Sequence, residues 1–168
     1  MESPGTSYLY TLALLGMTFM GFAAIVMLLR QTLGGHVRAF DVLFARVYME
    51  FAVIVIMGAM LPPLLMLWEL PPGAVWRLSS GLVGLPLLGI ALRYPARRRA
   101  TTGQPTPRYV RVNVTIILLI SLTLLIAATG MFHQRCGPAF LVALTAFLTF
   151  VLVAWLRALS IILVPEAD

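Results

Sequence analysis

Five long stretches almost free of charge run through this chain, and the basic residues gather in the segments between them. A helix needs about 20 apolar residues to cross a hydrocarbon layer of about 30 Å, and there every backbone N–H and C=O must be satisfied within the protein. The runs predict membrane spans at about 8–29, 47–69, 74–92, 110–132 and 139–164. The expected fold is an all-α integral membrane protein, a bundle of five transmembrane helices in a single domain over residues 1–168. Composition agrees: 61% of residues are hydrophobic and 11% charged, against roughly a quarter charged in ordinary globular domains.

The third run is the short one. Its uncharged core, Leu78 to Leu92, has 15 residues and reaches only ~22 Å at about 1.5 Å per residue. A re-entrant segment would suit that length. Arginine placement argues for a full crossing. Nine of the twelve arginines lie at 30–46 and 93–111, whereas the other two connections carry only Arg77 and Arg135. Cytoplasmic loops collect positive charge, which puts both rich segments on the same side and requires the third run to cross. The N-terminus is then outside and the C-terminus cytoplasmic, in a bacterial inner (plasma) membrane. Arg157, inside the fifth run, can reach the inner headgroups along its own aliphatic stem. The leader "MESPGTSY" is acidic rather than basic, and the run behind it exceeds a signal-peptide core, so the first helix is expected to be retained.

Several chemistries lack their residues. The chain has no lysine, so neither Schiff-base chemistry nor a P-loop is available. His36 and His133 fall in connections on opposite sides of the membrane and cannot share a metal or a haem. Zinc takes three or four protein ligands. Cys136 is the only cysteine, which excludes an intrachain disulfide and a C-x-x-C pair. The stretch "RLSSGLVG" lacks the glycine pattern of a nucleophile elbow. Paired acid and base work needs two positioned groups, yet among the carboxylates only Glu50 lies near apolar depth, with no second one close in sequence. No enzyme activity, cofactor or metal is expected.

Three polar or kinked features remain. In "ARVYMEF", Arg46 and Glu50 stand one helical turn apart at the inner mouth of helix two, and an ionisable residue at membrane depth is a functional candidate. Pro62 and Pro63 free the carbonyls of Gly58 and Ala59, and Pro86 frees that of Leu82; neighbouring helices, hydroxyls or water can satisfy them. Two kinked helices facing each other could therefore enclose a small polar cavity. In "SSGLVGLPLLG", Ser80 and Gly84 form a small-xxx-small pair, and Thr145 and Thr149 lie a turn apart on helix five, so both are helix contact surfaces.

The segment "RYPARRRATTGQPTPRYVR" is expected to be a solvated, flexible loop because of its Pro, Gly and Thr content. Its Arg93, Arg97, Arg98, Arg99, Arg108 and Arg111 suit anionic lipid headgroups, at about 1 kcal/mol per basic residue near the surface. Topology already accounts for this charge, so nucleic acid is not an expected partner. The expected function is that of a non-enzymatic packing subunit of a homo-oligomer or larger membrane complex, with the lipid bilayer and copies of itself or other membrane subunits as partners. The alternative is a small channel or carrier using Arg46, Glu50 and the kinks at Pro62, Pro63 and Pro86.

The arginine distribution makes a direct prediction. Reporter domains fused after Arg99 and at the C-terminus should both read cytoplasmic; an external signal after Arg99 contradicts five spans in this orientation.

Overall fold

The structure, a computed structural model, describes residues 4–32, 39–103, 107–132 and 135–163. They form five helices: α1 (Pro4–Thr32), α2 (Ala39–Met66), α3 (Pro72–Thr102), α4 (Arg108–Ala128) and α5 (Cys136–Leu163). No strand occurs among the described residues. All five helices are long and apolar enough to cross a membrane.

The third helix departs most from expectation. It has 31 residues, about 46 Å of axis at 1.5 Å each, because "RYPARRRATT" continues as helix instead of opening into a loop. Arginine and alanine are strong helix formers, and Pro95 removes only one donor from the ladder. The hydroxyls of Thr101 and Thr102 donate back to the carbonyls of Arg97 and Arg98, each at 2.9 Å. Gly103 then ends the helix in the left-handed region (φ 65°), its N–H donating to the Arg99 carbonyl at 2.9 Å. Of the expected flexible loop, the residues up to Thr102 are helix and those from Arg108 on begin α4.

At the opposite end the turns are tight. α2 stops at Met66, three residues before the expected 69, and Leu67, Trp68 and Glu69 donate to Leu64, Leu65 and Met66 at 3.2 Å. Glu69 closes this turn with φ 54°. Pro72 then opens α3, where a missing N–H costs nothing because the first helical donors have no partner. α4 ends at Ala128 rather than 132, in a turn whose Gly130 has φ 83°. A side chain at 130 would also meet Arg77, since a Cβ there would lie 2.5 Å from the guanidinium carbon.

Successive helices pack as antiparallel neighbours, and α5 lies against all four others. Phe140, Leu144 and Phe147 of α5 are fully buried with Val55 of α2, Leu87 of α3 and Leu124 of α4. Aromatic edges lock the joints: Phe51 meets Phe147 with ring centres 5.3 Å apart, and Phe19 meets Trp155 at 5.4 Å. Where α3 and α4 pack, a Cβ on Gly84 would lie 3.2 Å from Leu124 Cβ. There the Ser121 hydroxyl donates to the Gly84 carbonyl at 2.9 Å.

The outside of the bundle is oily. Leu14, Leu85 and Val142 are 65%, 61% and 69% exposed, while Ser79, Ser80 and Ser121 are fully buried. A chain folded in water places these residue types the other way round. In lipid the polar groups gain by turning inward, and leucine loses nothing by facing the solvent.

The glycines of α3 separate packing from propensity. Gly84→Leu should lower the unfolding midpoint in detergent, at a cost of about 1–3 kcal/mol for forcing two packed helices apart. Gly89→Leu should leave it unchanged or raise it, because nothing lies within 4 Å of a Cβ there. Equal losses would contradict close α3–α4 packing.

Candidate functional site

Helices α2 and α3 meet at the arginine-rich end through a three-residue charge cluster. Glu50 and Arg46 are one turn apart on α2, so they share a face, and Arg46 Nε donates to Glu50 Oε1 at 3.3 Å. The structure adds Arg97 of α3, whose Nη1 donates to Glu50 Oε2 at 3.1 Å and to Oε1 at 3.3 Å. Helical side chains lean toward their own N-terminus. Since α2 and α3 run antiparallel, Glu50 and Arg97 lean toward each other and close the gap. The Glu50 and Arg97 side chains are 27% and 37% exposed, and that of Arg46 is 72% exposed.

Two guanidinium groups face one carboxylate, which leaves one net positive charge. Both Glu50 oxygens are engaged by donors. Among the described residues, no three His, Cys, Asp or Glu side chains converge where a metal ion would fit; His36 and His133 lie outside the described residues.

The arginines expected at lipid headgroups divide into two groups. Arg93, Arg99, Arg108 and Arg111 are exposed. Arg97 instead turns inward to Glu50, and Arg98 is buried, beside Tyr94 one turn back. Both inward positions follow from the helical continuation of α3, which carries these residues along the bundle rather than away from it. Arg38 lies outside the described residues.

The prolines are also separated. Pro62 is fully buried, whereas Pro86 is exposed on the outer side of α3. The space beside Gly58 is taken by Val83 and Leu144, which a Cβ there would meet at 3.0 and 3.2 Å. The carbonyl that receives an interhelical hydroxyl is that of Gly84, not Leu82. The Ser79 and Ser80 hydroxyls, fully buried, have no hydrogen-bond partner among the described residues.

Open grooves run along the surface of the described residues, and two of them bear on the site. One, of about 680 Å³, runs beside the charge cluster and is lined by Met27 of α1, Ala45, Arg46, Glu50 and Val53 of α2, and Pro86 of α3, among others. It brings together Arg46, Glu50 and Pro86, which the sequence singles out separately. The other, of about 1000 Å³, lies between α1 and α5 along Tyr8, Val142, Thr145, Ala146 and Thr149. Across its edge the Tyr8 and Thr145 hydroxyls are hydrogen-bonded at 2.7 Å. Neither groove was visible in the sequence, because an all-apolar helix has no periodic signal for the face it leaves open.

Arg97 crosses between helices and Arg46 does not, so their removal should differ. Arg97→Ala should destabilise the folded protein in detergent by about 1 kcal/mol and Arg46→Ala by a few tenths, the range for partly exposed ion pairs. A double-mutant cycle should show coupling of Arg97 to Glu50 that exceeds the coupling of Arg46 to Glu50. Equal coupling would contradict the cross-helix clamp. Among known proteins the chain matches no family model, no curated protein and no solved structure, so no residue role is carried over from a relative.

Proposed function

We propose that this polytopic membrane protein is a non-catalytic packing subunit, which associates laterally with copies of itself or with other membrane subunits through the groove between α1 and α5. The observation that carries this reading is the composition of that groove. Gly5, Thr145, Ala146 and Thr149 line it, and small residues with hydroxyls are what a helix presents when another helix must approach closely in lipid. Elsewhere α5 is spent on its own bundle, with Phe140, Leu144 and Phe147 fully buried. The same small residues leave a seam that lipid tails fill less completely than an interdigitating helix.

In the proposed orientation the arginine-rich end faces the cytoplasm of a bacterial cell, with the N-terminus outside. The single-sided placement of Arg46, Arg93, Arg99, Arg108 and Arg111 supports it.

The mass of the detergent-solubilised particle tests the assembly. It should exceed that of one 18.4 kDa chain after subtraction of bound detergent. Thr149→Cys in a Cys136→Ser background should cross-link to a neighbouring chain, whereas Leu85→Cys on the far flank should not. A single chain at every concentration, extracted without companions, would overturn the packing reading. Ion flux through liposomes that disappears in Glu50→Gln would replace it with the channel reading.

A further inference from the structure

The groove beside Glu50 places a charge cluster at one end of an open apolar floor. We propose that it is a binding site for one phospholipid with an anionic headgroup, its phosphodiester against Arg46 and one acyl chain lying along Met49, Val53 and Pro86. The site rests on the membrane reading and not on assembly, since it lies on the flank formed by α1, α2 and α3 rather than between α1 and α5.

Charge selects the ligand. Glu50 already accepts hydrogen bonds from both arginines, so the cluster presents one uncompensated positive charge and repels a cationic amphiphile. Arg46 gives only its Nε to Glu50, and its side chain is 72% exposed. Its two terminal nitrogens are therefore available to the lipid side. A guanidinium offers paired donors in a plane, which match two oxygens of a phosphate. The Glu50 carboxylate also lines the groove, and its repulsion places the phosphate on the outward side of Arg46, away from the carboxylate.

Length selects the tail. From Arg46 to Ile54 the floor advances ~12 Å at about 1.5 Å per residue, close to the ~15 Å that is half a hydrocarbon core. A headgroup at Arg46 thus sets its chain pointing toward mid-membrane along aliphatic side chains. Pro86 contributes a flat apolar wall and no N–H.

Native mass spectrometry of the full chain in an uncharged detergent tests the proposal, with dioleoyl phosphatidylglycerol as the probe and dioleoyl phosphatidylcholine as the comparison. The first phosphatidylglycerol adduct should form at about tenfold lower lipid concentration than the phosphatidylcholine adduct, the scale of one charge-assisted contact. Arg46→Gln should remove that preference. Val53→Trp, a surface substitution that fills the floor and keeps every charge, should weaken both lipids, and its unfolding midpoint confirms that it is folded. Arg108→Gln, an exposed arginine on another helix, should change nothing. Free glycerol 3-phosphate should not displace the adduct, and if it does, the site takes a phosphate rather than a lipid. Equal weakening by Arg108→Gln and Arg46→Gln, or an unaltered first adduct in Val53→Trp, would overturn the site in favour of diffuse attraction. The particle mass reads assembly separately, so failure of one reading is distinguishable from failure of the other.

Discussion

An unpaired peptide group in hydrocarbon costs several kcal/mol, and the architecture follows from that cost. It explains why the described chain is helix interrupted only by short turns, and it explains where the prolines stand. Pro4 and Pro72 are the first residues of α1 and α3, Pro107 immediately precedes α4, and Pro138 sits in the first turn of α5. At each of these places the lost N–H has no partner to lose. The interior prolines, Pro62, Pro63, Pro86 and Pro95, each orphan a carbonyl. Those carbonyls lie in helices packed against neighbours on both sides, the setting in which spanning helices tolerate proline.

With the backbone satisfied, cohesion has to come from fit and from the few polar side chains. Lipid tails are as apolar as leucine, so burying leucine between helices gives little. Gly84 and Ser121 show the substitute. The missing Cβ lets α3 and α4 approach, and the serine hydroxyl then reaches a backbone carbonyl in the opposite helix. Gly137 acts similarly under the Trp76 indole, where a Cβ would lie 3.0 Å from the ring. The α1–α5 seam is held by Phe19 against Trp155 and by the Tyr8–Thr145 hydroxyl pair, and the groove left open beside them is the face on which the proposed assembly rests.

The number of helices and their approximate spans were legible in the sequence because four rest on long apolar runs and the third on the arginine distribution, and in lipid the backbone must be satisfied within the protein. The ends were less legible. Gly, Pro and Thr after Arg99 resemble a loop, yet the residues up to Thr102 satisfy themselves by back-bonding and by the glycine cap. That difference carries the site with it. Arg46 and Glu50 are neighbours at helical spacing and could be paired from sequence, but Arg97 is 47 residues from Glu50 and reaches it only because α3 keeps its helical course. The groove was not legible at all, since what defines it is a gap between three helices.

The lengths of α3 and α4 show why the charge cluster sits where it does. With 31 and 21 residues, these helices measure ~46 and ~31 Å, so a hydrocarbon core of about 30 Å leaves one end of α3 projecting. The projecting turns carry four arginines, Arg93, Arg97, Arg98 and Arg99. A helix that leaves the membrane alone would fray, because exposed turns gain little from propensity without tertiary support. Arg97 gripping Glu50 ties the projection back to α2 at the depth where it emerges, and Arg98 is buried there. The remaining arginines on those turns stay outward. One short sequence thereby anchors a helix end inwardly and leaves the exposed Arg93 and Arg99 on the turns that exceed the length of an apolar core.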